Sequence, residues 1–337
     1  MKNLKLAIVG ATGMVGRKFL EVLEERNFPV SECRLFASEK SAGKMLTAFG
    51  KQTEVLLLSP ENVKKYPVDV ALFSAGGAVS ELYAPLFVKT GAVVIDNSSK
   101  WRMDEKVPLV VPEVNPEDAL SNSGIIANPN CSTIQAVVAL KPLFDEFGIK
   151  RVVFSTYQAV SGAGVGGYND LMGGTAGLPP KKFNYPIFGN CLPQIDLFED
   201  DRYTKEEHKM INETRKILHA PTLPVTATTV RVPVYHGHSE SVNVEFEKPA
   251  TLDEIFAAFK KQNGLVILDD PKKELYPMPI YVAGKDEVYV GRIRRDFSVE
   301  SGVNFWCVAD NIRKGAATNA VQIAEYLLEK SFFRRET

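Results

Sequence analysis

The sequence predicts an α/β fold in two parts, and three observations carry that expectation. A buried strand pattern, Leu4 to Val9, runs into the glycine turn Gly10-Ala11-Thr12-Gly13-Met14-Val15-Gly16 and then a helix through Arg26. Short apolar strands and helical stretches go on alternating to residue 130, the rhythm of a doubly wound sheet. Beyond it, β-rich runs follow one another with fewer helices, as in a mixed sheet. The reading is a Rossmann-type doubly wound domain over residues 1–130, completed by a C-terminal helix over 313–337, and an α+β domain with a mixed sheet over 131–312.

Composition narrows the classes. With 337 residues, 45% hydrophobic and 24% charged, the chain can fill two cores. A net charge of -1 gives no basic excess for nucleic acid or an anionic membrane. No apolar run approaches the ~20 residues that span a bilayer, and Met1 to Leu6 enters a strand with no cleavable leader. Four dispersed cysteines without a CxxC pair (Cys33, Cys131, Cys191, Cys307) fit a reducing cytoplasm. They argue against zinc or a disulfide framework, so no metal is expected.

Taken in order, the first turn is the context a dinucleotide fingerprint needs: strand, glycines, helix. Glycines let the backbone approach a pyrophosphate, and the helix N-terminus offers unpaired N–H donors. The spacing is GxxGxxG, not GxGxxG. The second strand, Cys33 to Ala37, ends in Ser38-Glu39-Lys40-Ser41. A lysine and hydroxyls suit a 2′-phosphate, which favours NADP, while Glu39 keeps NAD open. Val68 to Phe73 is a buried strand closed by Ser74-Ala75-Gly76-Gly77, with a helix expected from Val79 to Thr90. Gly91 to Asp96 is the next strand, and the loop behind it carries Arg102, a side chain able to clamp a carboxylate or phosphate.

Asn128-Pro129-Asn130-Cys131 then turns the chain at the start of an apolar helix. A thiol there feels the positive end of the helix dipole, which favours thiolate and points to a nucleophile. Lys150 to Val160 is a strand, and residues 164–194 read as a long irregular Gly/Pro-rich segment. Thr204 to Glu207 is a capping box, and the spacing of Glu206 and Lys209 reads as a surface ion pair. Arg231 in a β-rich run and His238 beyond the next turn bring a cation and an imidazole together. Cys33, Cys191 and Cys307 read as structural. Asp310 to Ala317 leads into the last helix.

The glycine turn, Ser74-Ala75-Gly76-Gly77, Asn128-Pro129-Asn130-Cys131, Tyr157-Gln158-Ala159-Val160-Ser161-Gly162-Ala163-Gly164, Arg231-Val232-Pro233-Val234 with Gly237-His238-Ser239, and Asp310-Asn311-Ile312-Arg313-Lys314-Gly315-Ala316-Ala317 occur in this order. Together they resemble the aspartate-β-semialdehyde dehydrogenase family over essentially the whole chain. The resemblance implies NADPH-dependent reductive dephosphorylation of L-aspartyl-4-phosphate to L-aspartate 4-semialdehyde through a cysteine thioester. That step lies in lysine, threonine, methionine and isoleucine biosynthesis. It also implies a cytoplasmic homodimer or homotetramer whose partners are small molecules, with no nucleic acid and no membrane.

Residue by residue, the resemblance makes Cys131 the nucleophile and His238 an acid/base that activates the thiol. Gln158 would orient the substrate and Arg231 anchor its α-carboxylate. Glu206 would face the ammonium, with Arg102 and Lys209 on the phosphate and Asn130 beside it. Thr12, Gly13, Met14, Val15, Lys40, Ser41, Ser161, Gly162 and Asn311 match NADP(H) positions. Lys40 stands where many members carry arginine and supplies charge without the planar fork. N-acetyl-glutamyl-phosphate reductase shares the glycine turn and the cysteine, and a non-catalytic NADP-binding regulator is a further alternative. Gln158, Arg231 and Gly237-His238-Ser239 favour aspartyl phosphate.

Overall fold

β1 (Leu4–Val9) is apolar everywhere but Lys5, because both of its faces are covered. Leu4, Leu6 and Ile8 pack with Phe19 and Leu23 of α1 (Met14–Glu25) and with Val321 and Leu327 of the last helix, α9 (Thr318–Glu329). Ala7 and Val9 join Phe36, Phe73 and Phe87 on the other side. The structure, a computed structural model, describes residues 3–333. Residues 1–2 and 334–337, the ends of the expected first strand lead-in and last helix, lie outside the described residues. The chain divides into two units, Met1–Pro129 with Ala316–Thr337, and Asn130–Gly315.

The first unit is a twisted, mostly parallel sheet. β2 (Val30–Ala37) and β5 (Val70–Phe73) flank β1, both parallel to it. Outside them lie β3 (Met45–Ala48) and β4 (Lys51–Leu57) on one side, β6 (Val93–Asp96) and β7 (Ile125–Ala127) on the other, in the order β3-β4-β2-β1-β5-β6-β7. Two more helices, α2 (Pro60–Lys65) and α3 (Gly77–Lys89), complete it. The winding reverses at β1, so ligand binding is favoured outside its carboxyl end, where the glycine turn sits. The β3–β4 hairpin escapes the sequence reading. Its turn, Phe49-Gly50, has positive φ at both residues (50° and 70°), a mirror-image turn that ordinarily selects Asn-Gly.

The second unit holds a mixed sheet in the order β11-β12-β13-β10-β8-β9. In chain order it comprises α4 (Cys131–Phe147), β8 (Ile149–Gln158), α5 (Gly164–Thr175), α6 (Lys205–Ile217), β9 (Val225–Arg231) and β10 (His238–Phe246). There follow α7 (Leu252–Lys261), β11 (Leu265–Ile267), α8 (Pro279–Val282), β12 (Val288–Arg295) and β13 (Gly302–Ala309). β8 and β9 run parallel, while β10 is antiparallel to both β8 and β13.

Three expectations change here. Residues 164–175 are helical, not irregular. Asp170 on α5 also organises the segment beyond it, accepting from the backbone N–H of Lys181, Lys182 and Phe183 at 2.7–2.9 Å. The β-rich run stops at Arg231, two residues before Pro233, which has no N–H for a ladder. The following strand begins at His238 itself. Cys307 is fully buried, but Cys191 is exposed and is no part of a core.

Gly10 has φ +85°, and a Cβ there would lie 2.2 Å from the Ser74 carbonyl oxygen, whereas a Cβ on Gly13 meets nothing nearer than 3.2 Å. Gly10→Ala should therefore cost about 2 kcal/mol or more of stability in urea unfolding of the whole chain, and Gly13→Ala clearly less. Equal losses would refute the steric account.

Candidate active site

The second unit gathers its polar side chains where β8 and β9 end and β10 begins. Gln158 and Arg231 are register partners on parallel strands, and Ser239 pairs with Tyr157. With a period of two, Thr156 and Gln158, Thr229 and Arg231, and His238 and Glu240 are buried positions of their strands. All lie at the polar end of an otherwise apolar face formed by Phe154, Ala227 and Val242.

Cys131 is the first residue of α4, and Asn130 is its N-cap. The Asn130 Oδ1 accepts from the N–H of Ser132 at 3.0 Å and of Thr133 at 3.3 Å. Its own N–H donates to Glu213 Oε2 at 2.6 Å, and its Nδ2 donates to Glu206 Oε1 at 2.9 Å. Thus the residue before the sulfur is fixed by two acids of α6. A Cβ on Gly315 would lie 2.8 Å from the Cys131 Cβ, so glycine is needed where the π-helical turn Arg313–Ala317 passes the cysteine.

Glu206 is the polar hub. Its Oε1 also accepts from Gln158 Nε2 at 3.2 Å, and its Oε2 from Lys209 Nζ at 3.1 Å. Lys209 reaches Asp196 at 2.9 Å with the same ammonium. Burial raises the Glu206 carboxyl, but Lys209, Asn130 and Arg231 outweigh it, so the group sits below its ordinary value and is ionised. Lys209 sits above its ordinary value: burial opposes the charge, and Glu206 and Asp196 more than compensate. The pair is therefore no solvated surface bridge, since only 6% of the Glu206 side chain is exposed.

Ala159 bridges the remaining two groups through its backbone. Its carbonyl accepts from Arg231 Nη1 at 2.7 Å, and its N–H donates to His238 Nδ1 at 3.0 Å. Burial lowers Arg231 from its ordinary value, and the charges of Glu206 and Cys131 offset part of this. Burial, aided by Arg231, drives His238 well below the usual imidazole range, so the ring is neutral. Gly162 borders both groups: a Cβ there would fall 2.8 Å from Arg231 Nη1 and 3.2 Å from His238 Nε2. Asn311 Oδ1 accepts from the N–H of Gly237, and its Nδ2 donates to Ser161 Oγ at 3.0 Å, tying the turn before His238 to the loop after β8.

The other expected residues lie in the first unit. Thr12 Oγ1 donates to Ser41 Oγ at 3.2 Å, so the glycine turn and the end of β2 meet. Lys40 is exposed beside it, Gly13 is exposed, and Met14 and Val15 start α1 half-buried. Gly16 needs its lack of a Cβ as much as Gly10, since one would sit 2.2 Å from the Gly10 oxygen. This cradle fits a dinucleotide pyrophosphate. Arg102 is buried, with its Nη2 donating to the Asn97 carbonyl at 2.9 Å.

Sequence reasoning passes over four residues that the site uses. Ala159 acts through its backbone, which leaves no signature. Glu213 shares a face with Glu206, Met210 and Ile217, and that spacing was readable. Gln135 donates to the His238 carbonyl at 3.3 Å. Glu240, fully buried on the strand of His238, has neither carboxyl oxygen hydrogen-bonded to protein.

Comparison with known proteins defines the class first. Residues 5–122 match the model of the semialdehyde dehydrogenase NAD binding domain, and residues 140–314 that of the semialdehyde dehydrogenase dimerisation domain. The aspartate-semialdehyde dehydrogenase of Aquifex aeolicus is 58% identical, covering 97% of this chain and 98% of its own. Aspartate semialdehyde dehydrogenase II of Vibrio cholerae, solved complexed with ASA, superposes with a TM-score of 0.94 at 48% identity, covering 98% of this chain and 99% of its own. The Candida albicans enzyme, solved with NADP, gives 0.78 at 28%, covering 98% of this chain and 99% of its own. The chain belongs to the aspartate-semialdehyde dehydrogenase family. It is accordingly an oxidoreductase of amino-acid biosynthesis that uses a nicotinamide cofactor. Among the described residues no helix is long and apolar enough to cross a membrane.

Burial and the Glu206 charge push Glu240 well above its ordinary value of 4.5, so the folded protein keeps a proton that the unfolded chain releases. The native state then binds more protons, and stability falls as pH rises past 4.5 towards the folded-state value. Glu240→Gln removes this loss. Its melting temperature relative to the parent should rise between about pH 4 and about pH 8 in calorimetry. A constant or shrinking difference would exclude a buried neutral acid.

Proposed function

We propose that the chain converts L-aspartyl-4-phosphate to L-aspartate 4-semialdehyde with NADPH, through an acyl thioester on Cys131. The observation that carries this reading is the placing of Cys131 at the first position of a helix whose cap is hydrogen-bonded to Glu206. The helix dipole and the nearby Arg231 charge favour thiolate. Cys131 Sγ attacks the acyl carbon and phosphate leaves, so the sulfur holds the acyl group. The bound cofactor supplies the hydride that reduces it, and the aldehyde departs as the thiolate re-forms.

The other side chains position the substrate. Arg231 spends Nη1 on Ala159, and its Nε has no protein partner, which leaves the Nε/Nη2 edge for a carboxylate fork. Glu206 supplies negative charge for the substrate ammonium, Gln158 orients the acyl group, and Asn130 lies beside it. Lys209 and Arg102 take the phosphate. Gly10 to Val15, Lys40 and Ser41 hold the dinucleotide, and Ser161, Gly162 and Asn311 are proposed as further cofactor positions. Lys40 and Ser41 favour NADP by their charge and hydroxyl.

Assembly is proposed as a homodimer or homotetramer in the cytoplasm. The dimerisation-domain match and the exposed Leu178, Tyr185 and Phe188 support it.

The purified enzyme should turn over aspartyl phosphate in preference to N-acetyl-glutamyl phosphate, and a reversed preference would sink the substrate assignment. Cys131→Ala should lose turnover while NADPH binding, read by fluorescence, persists; an active variant would remove the nucleophile. Arg231→Lys keeps charge without the fork, so kcat/KM should fall on the order of tenfold to a hundredfold. An unchanged value would place Arg231 outside substrate contact.

A further inference from the structure

We infer that Asn128 and Asn319 are positioning residues: they fix the polarity of the Asn97 side-chain amide, so that its Nδ2–H serves with Arg102 as a further donor to the phosphate. The inference rests on the reading of Arg102 as a phosphate ligand above. Asn128 and Asn319 are fully buried, and amides taken out of water need their donors and acceptors matched. Asn97 is half-buried. It directly follows β6, at the carboxyl end of the sheet, where open α/β sheets bind their ligands.

The polarity starts from two backbone carbonyls, which can only accept. Asn319 Nδ2 donates to the Val110 carbonyl at 2.9 Å, which identifies the nitrogen of that amide. The same nitrogen donates at 2.7 Å to Asn128, so the atom it meets there is Oδ1. Asn128 Nδ2 donates to the Ala316 carbonyl at 3.1 Å, in agreement. Its other hydrogen goes to Asn97 at 2.8 Å, so that atom is Oδ1 as well. Turning the Asn97 amide over would set one NH2 group against another. Asn97 Nδ2 therefore keeps both of its hydrogens, and among the described residues no protein acceptor takes them.

The backbone of the same residue is equally committed. Asn97 N–H donates to the Phe73 carbonyl at the end of β5, at 2.9 Å. Its carbonyl accepts from Arg102 Nη2, also at 2.9 Å. Asn128 N–H donates to the Asp96 carbonyl at 2.8 Å, which ties the two segments together next to the amide pair. Residue 97 thus holds the guanidinium through its carbonyl and offers a neutral N–H donor of its own. The charge of Arg102 beside that donor selects an anion over a neutral acceptor, and a phosphate has oxygens for both.

The positions need asparagine for different reasons. At 128 the side chain spends both N–H groups and its oxygen, so an aspartate there could accept from Asn319 but could not donate to Ala316 or Asn97. It would instead draw the Asn97 Nδ2 inwards and turn that amide over. At 97 only the oxygen is spent within the protein. An aspartate there keeps the relay intact and puts a negative oxygen where the donor was, which repels phosphate.

The test runs the full-length enzyme in reverse, with L-aspartate 4-semialdehyde, NADP and inorganic phosphate, so that phosphate has a KM of its own. Asn97→Ala should raise the phosphate KM about tenfold to a hundredfold, the worth of a hydrogen bond to a charged group, and leave the KM for NADP unchanged. Asn97→Asp should raise it further yet melt close to the parent, because Oδ1 is the atom that faces the relay. Asn128→Asp should raise the phosphate KM in the parent and add nothing on top of Asn97→Ala, since it acts through that amide. An unchanged phosphate KM in both Asn97 variants, a raised KM for NADP in its place, or an Asn128→Asp effect that multiplies with Asn97→Ala would each overturn the inference. So would a strongly destabilised Asn97→Asp, which would mean the opposite polarity and decides the matter even where Asn128→Asp does not fold. Arg102→Ala separates the two readings: a normal phosphate KM there would remove Arg102 as a phosphate ligand, whereas a raised one beside unchanged Asn97 variants would remove only the role of Asn97.

Discussion

A carboxylate taken out of water must find its compensation inside the fold, and Glu206 finds it in Asn130, Gln158 and Lys209. Removing a partner from such a buried charge typically costs about 3–5 kcal/mol. The acid therefore constrains everything it touches. Asn130 must present Nδ2 to Glu206 and Oδ1 to the first turn of α4, which orients the residue next to Cys131. Gln158 must end β8 on the buried face. Lys209 must lie one turn along α6, where it also holds Asp196. The capping box at Thr204 and Glu207 supports this, because it fixes where α6 starts and hence which residues face inwards.

Sheet geometry explains how distant segments converge. Parallel pairing of β8 and β9 brings Gln158 level with Arg231, and the antiparallel β10 brings His238 in from the opposite direction. On its buried face each strand is polar at this end and apolar further along. The chain continues from β8 into Ala159, whose two backbone groups hold the guanidinium and the imidazole at once. A side chain doing either job would need its own anchoring.

Much of this was legible in the sequence, and the reasons separate what was from what was not. Both faces of β1 are covered, so its apolar run, broken only by Lys5, read correctly as a doubly wound strand. Gly10 and Gly16 announced a turn that only glycine can make. Residue types drew attention to Cys131, Arg231 and His238, and the folded unit sets Arg231 and His238 on one residue's backbone. The hairpin around Phe49 stayed hidden because an aromatic residue occupies a left-handed position. The helix at Gly164 stayed hidden because its composition is that of a loop. Glu206 and Lys209 looked like a surface pair, since spacing alone carries no information on burial. Ala159 could not be found at all, because its contribution is a peptide group.

The charge state of the site follows from what burial switches off. His238 and Glu240 are both titratable, and burial neutralises each in its own direction, the imidazole by losing a proton and the acid by keeping one. Among the groups that stay charged, Glu206 and Asp196 face Lys209 and Arg231. Lys209 is committed to the two acids by direct contacts, whereas Arg231 reaches Glu206 only through space. Its nearest hydrogen-bonded partner is a neutral carbonyl. The guanidinium therefore keeps attraction to give, and a thiolate at Cys131 would help to hold it protonated. Read from the sulfur, that same attraction favours thiolate. A neutral imidazole is what preserves it: an imidazolium beside Arg231 would repel the guanidinium and ask the fold to hold two adjacent buried cations. The neutral imidazole and the charge available to Cys131 are thus two consequences of one arrangement.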